Sequence, residues 1–343
     1  MPRVLLLLVA SLAHTDGVAC TGSVTITDDV TYAAVATTCT SISGSLTVDS
    51  TFIGPEVVLP LLGSIGGSCF VRDTVNLATL DLPVLDSVGD SVYIQNNARL
   101  VSVIFSKLTS VLDVFVQLNG LLASVTTPLL GSVRSLFVQQ NAQLEKLDLL
   151  QLSEARGNIL VGNNDLLAAL DLPILRSVAV DIEVQINPRL DSLDFPLLVS
   201  VGGGFRVASC PIFALKAPLL DVLGGSFAVS TNNQLAVFEL PSLGTVGGGF
   251  LVEQNDQLIS FDFPSLGSVD NSIDIRGNLN LASVGLPQLS VVGGGCDIDT
   301  NAELSNVTFP QVTHPPEPTK VAGSARAGRC IYRSICVYLN PSI

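Results

Sequence analysis

The chain has 343 residues, of which 48% are hydrophobic and only 13% charged, and its net charge is −14. That acidity excludes a nucleic-acid binder, whose affinity rests on neutralising phosphates with Lys and Arg, and suits a protein that meets cations or basic surfaces. The length would hold two ordinary domains, but an internal repeat overrides that expectation.

The first residues, MPRVLLLLVASLA, join a basic start to a short apolar run, with Ser11 and Ala13 as small residues before a cleavage point. The run is too short to span a bilayer. Residues 1–19 are therefore expected to be a secretory signal peptide cut near Ala13 or Ala19. No later segment is expected to span a membrane, because Asn, Asp and Gly interrupt every apolar run. Seven cysteines fit an oxidising compartment without making a disulfide-dense scaffold. Cys20 and Cys39 fall in adjacent N-terminal turns, so a disulfide between them is expected to lock the first coil. Cys69 and Cys296 fall at inward strand positions and read as small core residues.

From residue 20 to 312 the chain repeats. A proline slot recurs at Pro60, Pro83, Ser106, Pro128, Leu150 and Pro173 and continues to Pro310, with every spacing 22 or 23 residues. Weaker copies extend backwards: Ser41-Ile42-Ser43-Gly44 matches the turn after the proline, and Ser23-Val24-Thr25-Ile26 matches the strand that follows. Each unit holds two runs of period 2, as in Phe250-Leu251-Val252, which argues for strands. No unit offers a helical stripe of the length expected of a stable helix. Glycines such as Gly202, Gly203 and Gly204 are expected to supply a tight turn with positive φ. Equivalent strands would then stack in parallel about 4.8 Å apart. The expected fold is all-β: a right-handed parallel β-helix, or leucine-rich-repeat-like solenoid, with 22–23-residue turns.

An asparagine marks one corner of nearly every turn, at Asn97, Asn119, Asn141, Asn164, Asn187, Asn232, Asn255, Asn278 and Asn301. A side-chain amide there can satisfy buried backbone groups of its own and neighbouring turns, so these residues read as structural. Cys210 fills the slot once. After the last turn, His314-Pro315-Pro316-Glu317-Pro318 breaks the pattern, and residues 313–343 form a Pro-rich basic tail with Cys330 and Cys336 close enough to close a small loop. Asn306-Val307-Thr308 is the chain's only N-glycosylation sequon.

NPRLDSL (Asn187 to Leu193) and ELPSLGTVGGGFLVEQNDQL resemble the receptor L-domain repeat found in the ligand-binding lobes of insulin- and EGF-type receptors. CTGSVTI, with a later Cys before SISGSLTV, is similar to the start of secreted fungal cell-wall organisation and sporulation-specific surface glycoproteins. The resemblance implies a β-solenoid at the cell surface or cell wall without enzymatic activity. Kinase, furin-like and transmembrane regions of the receptors are missing, and CVYLNPSI lacks the apolar tail of a lipid-anchor signal.

Three outward rows could carry function. Phe70, Tyr93, Phe115, Phe137 and Leu160 form a stripe on the N-terminal half, and Gln95, Gln117, Gln139 and Gln185 run beside it. An apolar stripe with a polar rim marks a binding surface for an extracellular protein or cell-wall glycan; the competing reading is that the aromatics only brace neighbouring strands or lie under the C-terminal tail. The third row holds Asp81, Asp148, Asp171, Asp194, Glu239 and Asp262, interrupted by Lys216. It reads as a solvated acidic face, with weak Ca²⁺ or basic-partner binding as the next reading. Carboxylates on neighbouring turns would also stand at a spacing, about 5 Å, that glycosidases use. The alternative function is accordingly a polysaccharide hydrolase or lyase. Against it, the acid is a repeated feature, and the only histidines, His14 and His314, lie outside the coil. No cofactor or metal site is expected. The sequence points to a secreted or cell-surface, non-enzymatic binding or structural protein.

Overall fold

Beyond the first turn, each turn consists of three short extended runs joined at three corners. A computed structural model describes residues 17–309 and the backbone of 329–332 and 335–337. Equivalent runs pair in parallel from turn to turn, giving an all-β parallel solenoid of about 13 turns with a repeat of about 23 residues. The longest face is a 15-stranded sheet. It runs in parallel from Val24–Ile26 to Cys296–Asp299 and closes on an antiparallel pair, Ile335–Val337 with Arg329–Tyr332. In that pair the backbones of Cys330 and Cys336 stand opposite one another. The second face, just before the proline corner, is broken into sheets of five, three and three strands. The third face consists mostly of two-residue strands such as Ser200–Val201. The expected leader falls mainly on residues 1–16, and His314 and most of the tail on 310–343; these lie outside the described residues.

Alternation explains the core. In one turn Leu235, Phe238, Leu240, Leu243, Val246, Phe250 and Val252 all point inward and are buried, while Glu239 and Leu251 between them point out. Each fully buried side chain of this size is worth about 1.5–3 kcal/mol relative to exposure. The same inward slots recur in every turn, so the core is one continuous column. Cys69, Cys210 and Cys296 are buried free thiols in that column. Burial pushes the Cys69 and Cys296 thiols up to about 12, which leaves them unreactive at neutral pH.

The asparagine corner works as a ladder. The Asn97 backbone N–H and Nδ2 both donate to Asn119 Oδ1, at 3.1 and 3.0 Å, and Nδ2 also donates to Val71 O at 2.9 Å. Asn119, Asn141 and Asn164 repeat the pattern, each fully buried. It lapses between Asn187 and Cys210, whose Sγ lies 3.9 Å from Asn187 Nδ2, and resumes with the Cys210 N–H donating to Asn232 Oδ1 at 3.1 Å and on to Asn301.

Two sequence expectations are corrected. The first concerns the glycines of the turn after the proline. Gly202, Gly203 and Gly204 are not in the left-handed region; positive φ falls instead on the residue before each corner asparagine, including Leu118 (φ 60°) and Ile186 (φ 53°). Glycine is needed at the other corner because turns approach closely there. A Cβ on Gly202 would overlap the Ala179 carbonyl oxygen, and one on Gly224 would overlap that of Gly202.

The second correction is a helix, Asp29–Thr38, in the first turn, where the repeat predicts only strands. Asp28 caps it by accepting from the N–H groups of Val30 and Thr31, and Thr31 Oγ1 accepts from the Asp28 N–H in return. This reciprocal box satisfies donors that a helix start leaves free. Val35 is buried, and Tyr32 packs on Phe52 with ring centroids 5.7 Å apart. The Cys20–Cys39 disulfide then ties the end of the helix to the first strand, with Cα atoms 5.5 Å apart.

Candidate binding surface

The long sheet carries the outward stripe in strict register: Phe70 pairs with Tyr93, Tyr93 with Phe115, Phe115 with Phe137, and Phe137 with Leu160. Because successive residues on a strand face opposite sides, the inward neighbours Val71, Ile94, Val116 and Val138 hold these rings on the outer face. The rings form one stack. Centroids are 5.1, 4.8 and 4.9 Å apart, and the last two pairs are parallel to within 1°. Their faces are turned toward one another, so what the stripe shows to solvent is mainly ring edges, and all five residues are half-buried. Core demand does not put them there. In the C-terminal half most aromatics go inside, where Phe195, Phe205, Phe227, Phe250 and Phe263 are fully buried, although Phe213 is exposed.

Polar groups line both flanks. Arg72, in register with Gln95, lays its guanidinium 4.7 Å from the Phe70 centroid and 4.2 Å from that of Tyr93. Its Nε is shielded from water and has no hydrogen-bond partner, so ring contact takes the place of a hydrogen bond there. Gln95 Nε2 donates to Gln117 Oε1 at 3.0 Å, and Gln139 follows in register with Gln117. Gln95, Gln117 and Gln139 thus form a row of amides beside the rings, and Gly162 separates them in register from Gln185.

The opposite flank holds a pair that sequence reasoning missed. Asp113, buried on the strand two residues before Phe115, accepts from Arg134 Nε at 2.9 Å and also from Arg134 Nη2. The Ser135 N–H and the Ser91 hydroxyl donate to the same carboxylate at 3.1 and 3.2 Å. These donors, Arg134 first, hold the Asp113 carboxyl below its ordinary value against the effect of burial. The missed signal was positional: Asp113 stands in a slot that Ser68, Ser91 and Ser135 fill in neighbouring turns.

The acidic row is less continuous than the repeat suggests. Asp81 and Asp148 lie at the ends of strands in the five-stranded sheet, with Ile104 and Thr126 between them in register. Asp171 lies outside any strand. Asp194, Lys216 and Glu239 are successive partners, and Lys216 Nζ sits 3.7 Å from a Glu239 oxygen. Asp262 faces Gly285 in a separate sheet. Burial pushes the Asp81 carboxyl up, and one oxygen each of Asp81 and Asp148 is shielded without a donor. Among the described residues no group of three or more His, Cys, Asp or Glu side chains is arranged to hold a metal ion. The calcium reading therefore has no ligand set behind it. The two partly shielded acids, Asp81 and Asp148, do not stand on neighbouring turns, because Ile104 and Thr126 separate them in register.

Among the described residues no helix is long and apolar enough to cross a membrane. No protein-family model matches the chain, and no curated protein does. Among solved structures it is similar to a leucine-rich repeat protein from Bacteroides ovatus. That match spans 74% of this chain and 75% of the other, at 11% identity and a TM-score of 0.21.

Proposed function

We propose that the protein is secreted and acts, without enzymatic chemistry, as a binding or structural protein at the cell surface or cell wall, in the manner of the receptor L-domain-like proteins it resembles. The stacked stripe from Phe70 to Leu160 is its contact surface. The observation that carries this reading is the placement of four aromatic rings on the outer face of the long sheet, flanked by Arg72, the glutamine row and the Asp113–Arg134 pair. Aromatic and Arg side chains bordered by polar groups are the usual make-up of an interface centre. The leader-like start and the Cys20–Cys39 disulfide support an oxidising, extracellular setting. Because the ring faces are spent on each other, the stripe suits an apolar protein surface better than a sugar ring, which stacks on an open aromatic face.

Replacing Tyr93, Phe115 and Phe137 together by Ser tests this. Binding to intact cell surfaces should fall at least tenfold, about 1.4 kcal/mol, while thermal unfolding stays cooperative. Undiminished capture of surface partners by the triple variant would sink the assignment. Selective capture of a polysaccharide on a glycan array would move it from protein to sugar.

A further inference from the structure

The second face ends at the strand Asn306–Thr308. One edge of this strand pairs with Ser283–Gly285, and among the described residues no strand pairs with the other. An open edge offers a row of N–H and C=O groups to any extended chain, a second copy of the same protein included. Two other edges are covered. At the N-terminal end of this same face lies the helix Asp29–Thr38, with Tyr32 Oη within 3.5 Å of the Val58 backbone. The long sheet closes on its antiparallel pair, and the third face ends in only two residues, Val291–Val292.

The open strand is also the sequon. Val307 turns toward the core, while Asn306 and Thr308 are exposed together on the outer side. The Asn306 N–H is held by Ala282 O at 3.1 Å, but its carboxamide makes only a long contact, 3.4 Å, from Nδ2 to Ser283 Oγ. Beside it is a hollow of about 380 Å³ whose lining combines Ser260, Asp262, Ser283 and Thr308 with Gly285 and the apolar Phe261 and Pro287. The Asp262 carboxylate lies over Gly285, where a Cβ would overlap it, and with Ser260, Ser283 and Thr308 it gives the hollow a polar rim that suits the first sugar of a glycan.

We infer that Asn306 carries an N-linked glycan and that this glycan keeps the open strand from pairing with a second copy of the chain. The inference rests on the secreted reading above, since the donor is met only on that route. The donor is a lipid-linked oligosaccharide diphosphate. Asn306 Nδ2 forms a bond to the anomeric carbon, the bond from that carbon to the phosphate oxygen breaks, the carboxamide gives up one proton, and the lipid diphosphate leaves. A hydrated oligosaccharide anchored on the edge strand then excludes an approaching strand by volume.

The test expresses the full chain in a secreting eukaryotic host, in parallel with a version whose residues 1–19 are replaced by a host leader. Peptide mapping after treatment with a glycan-releasing amidase should find Asn306 converted to Asp in the secreted protein. Asn306→Gln and Thr308→Val should both lose the mass of one glycan. In sedimentation, both variants and the amidase-treated protein should self-associate about tenfold more tightly than the glycosylated chain. Thr308→Val keeps Asn306 itself, which guards against a folding defect of the first variant. An unmodified Asn306 in secreted protein, or aglycosyl forms that stay monomeric at every concentration, would overturn the inference. Secretion and occupancy only with the host leader would defeat the native-leader reading and leave this one standing.

Discussion

At Asn187 the row of corner amides loses its next rung. Its counterparts each place the backbone N–H on the Oδ1 of the following asparagine, but Cys210 has no such oxygen to offer. A buried donor without its acceptor costs about 1–3 kcal/mol. Cys210→Asn should therefore raise the urea midpoint by the equivalent of about 1 kcal/mol. No gain would mean that the sulfur contact already suffices. A second single-residue effect follows from the left-handed positions. Ile186 holds φ 53° with a β-branched side chain that is 46% exposed, so it bears backbone strain without repaying it in burial. Ile186→Asn should stabilise by about 1 kcal/mol, measured by thermal unfolding; a loss would show that the exposed isoleucine makes a contact of its own. Ile186 and Cys210 also show what the sequence reveals and what it hides. The corner asparagines are legible because each recurs at one spacing. The strained φ is not, because Asp, Asn, Leu, Gln, Ile, Ser and Thr all occupy that slot.

At the scale of elements, the repeat makes strands easy to find and exceptions hard. The helix Asp29–Thr38 occurs once, so no neighbouring turn repeats its pattern, and only the Asp28–Thr31 box announces it. The Asp113–Arg134 pair spans two turns and becomes visible only when slots are aligned by register. The disulfide is the reverse case, since two cysteines in successive copies of one unit must lie near each other. Removing it with Cys39→Ser should cost about 2–4 kcal/mol. That loss should be localised: hydrogen exchange should speed up in the helix and in Val18–Cys20 while the strands beyond Glu56–Val58 keep their protection. Faster exchange across the whole chain would show that this end governs global stability.

For the whole molecule, charge is distributed so that the central and C-terminal turns respond to pH in opposite senses. Asp113, near the middle of the long sheet, is held low by Arg134. Its contribution is present above the unfolded value of about 4 and is lost as pH falls through the lower folded value. Asp297, on the last parallel strand, is held high by burial first and then by Asp299 and Asp274. Its contribution is full below the unfolded value and is lost as pH rises through the higher folded one. As pH rises above about 4 the C-terminal turns should therefore loosen while the turns around Asp113 hold. Asp297→Asn should slow hydrogen exchange in Cys296–Asp299 at neutral pH and change little in acid. Equal protection of variant and parent at neutral pH would refute the assignment. The acidic row was legible as a row, but not the breaks in it, which depend on where backbone pairing lapses rather than on side-chain type.

The interruption at Cys210 has a mechanical side. In a solenoid each turn touches only its neighbours, so strength is set locally, one junction at a time. The amide row runs as two lengths, Asn97 to Asn187 and Asn232 to Asn301, joined by a thiol. Pulled from its ends, such a chain is a zip with one tooth missing. It should part first at that tooth and yield in two force steps, separating a half with aromatic rings on its outer face from a half with phenylalanines in its core.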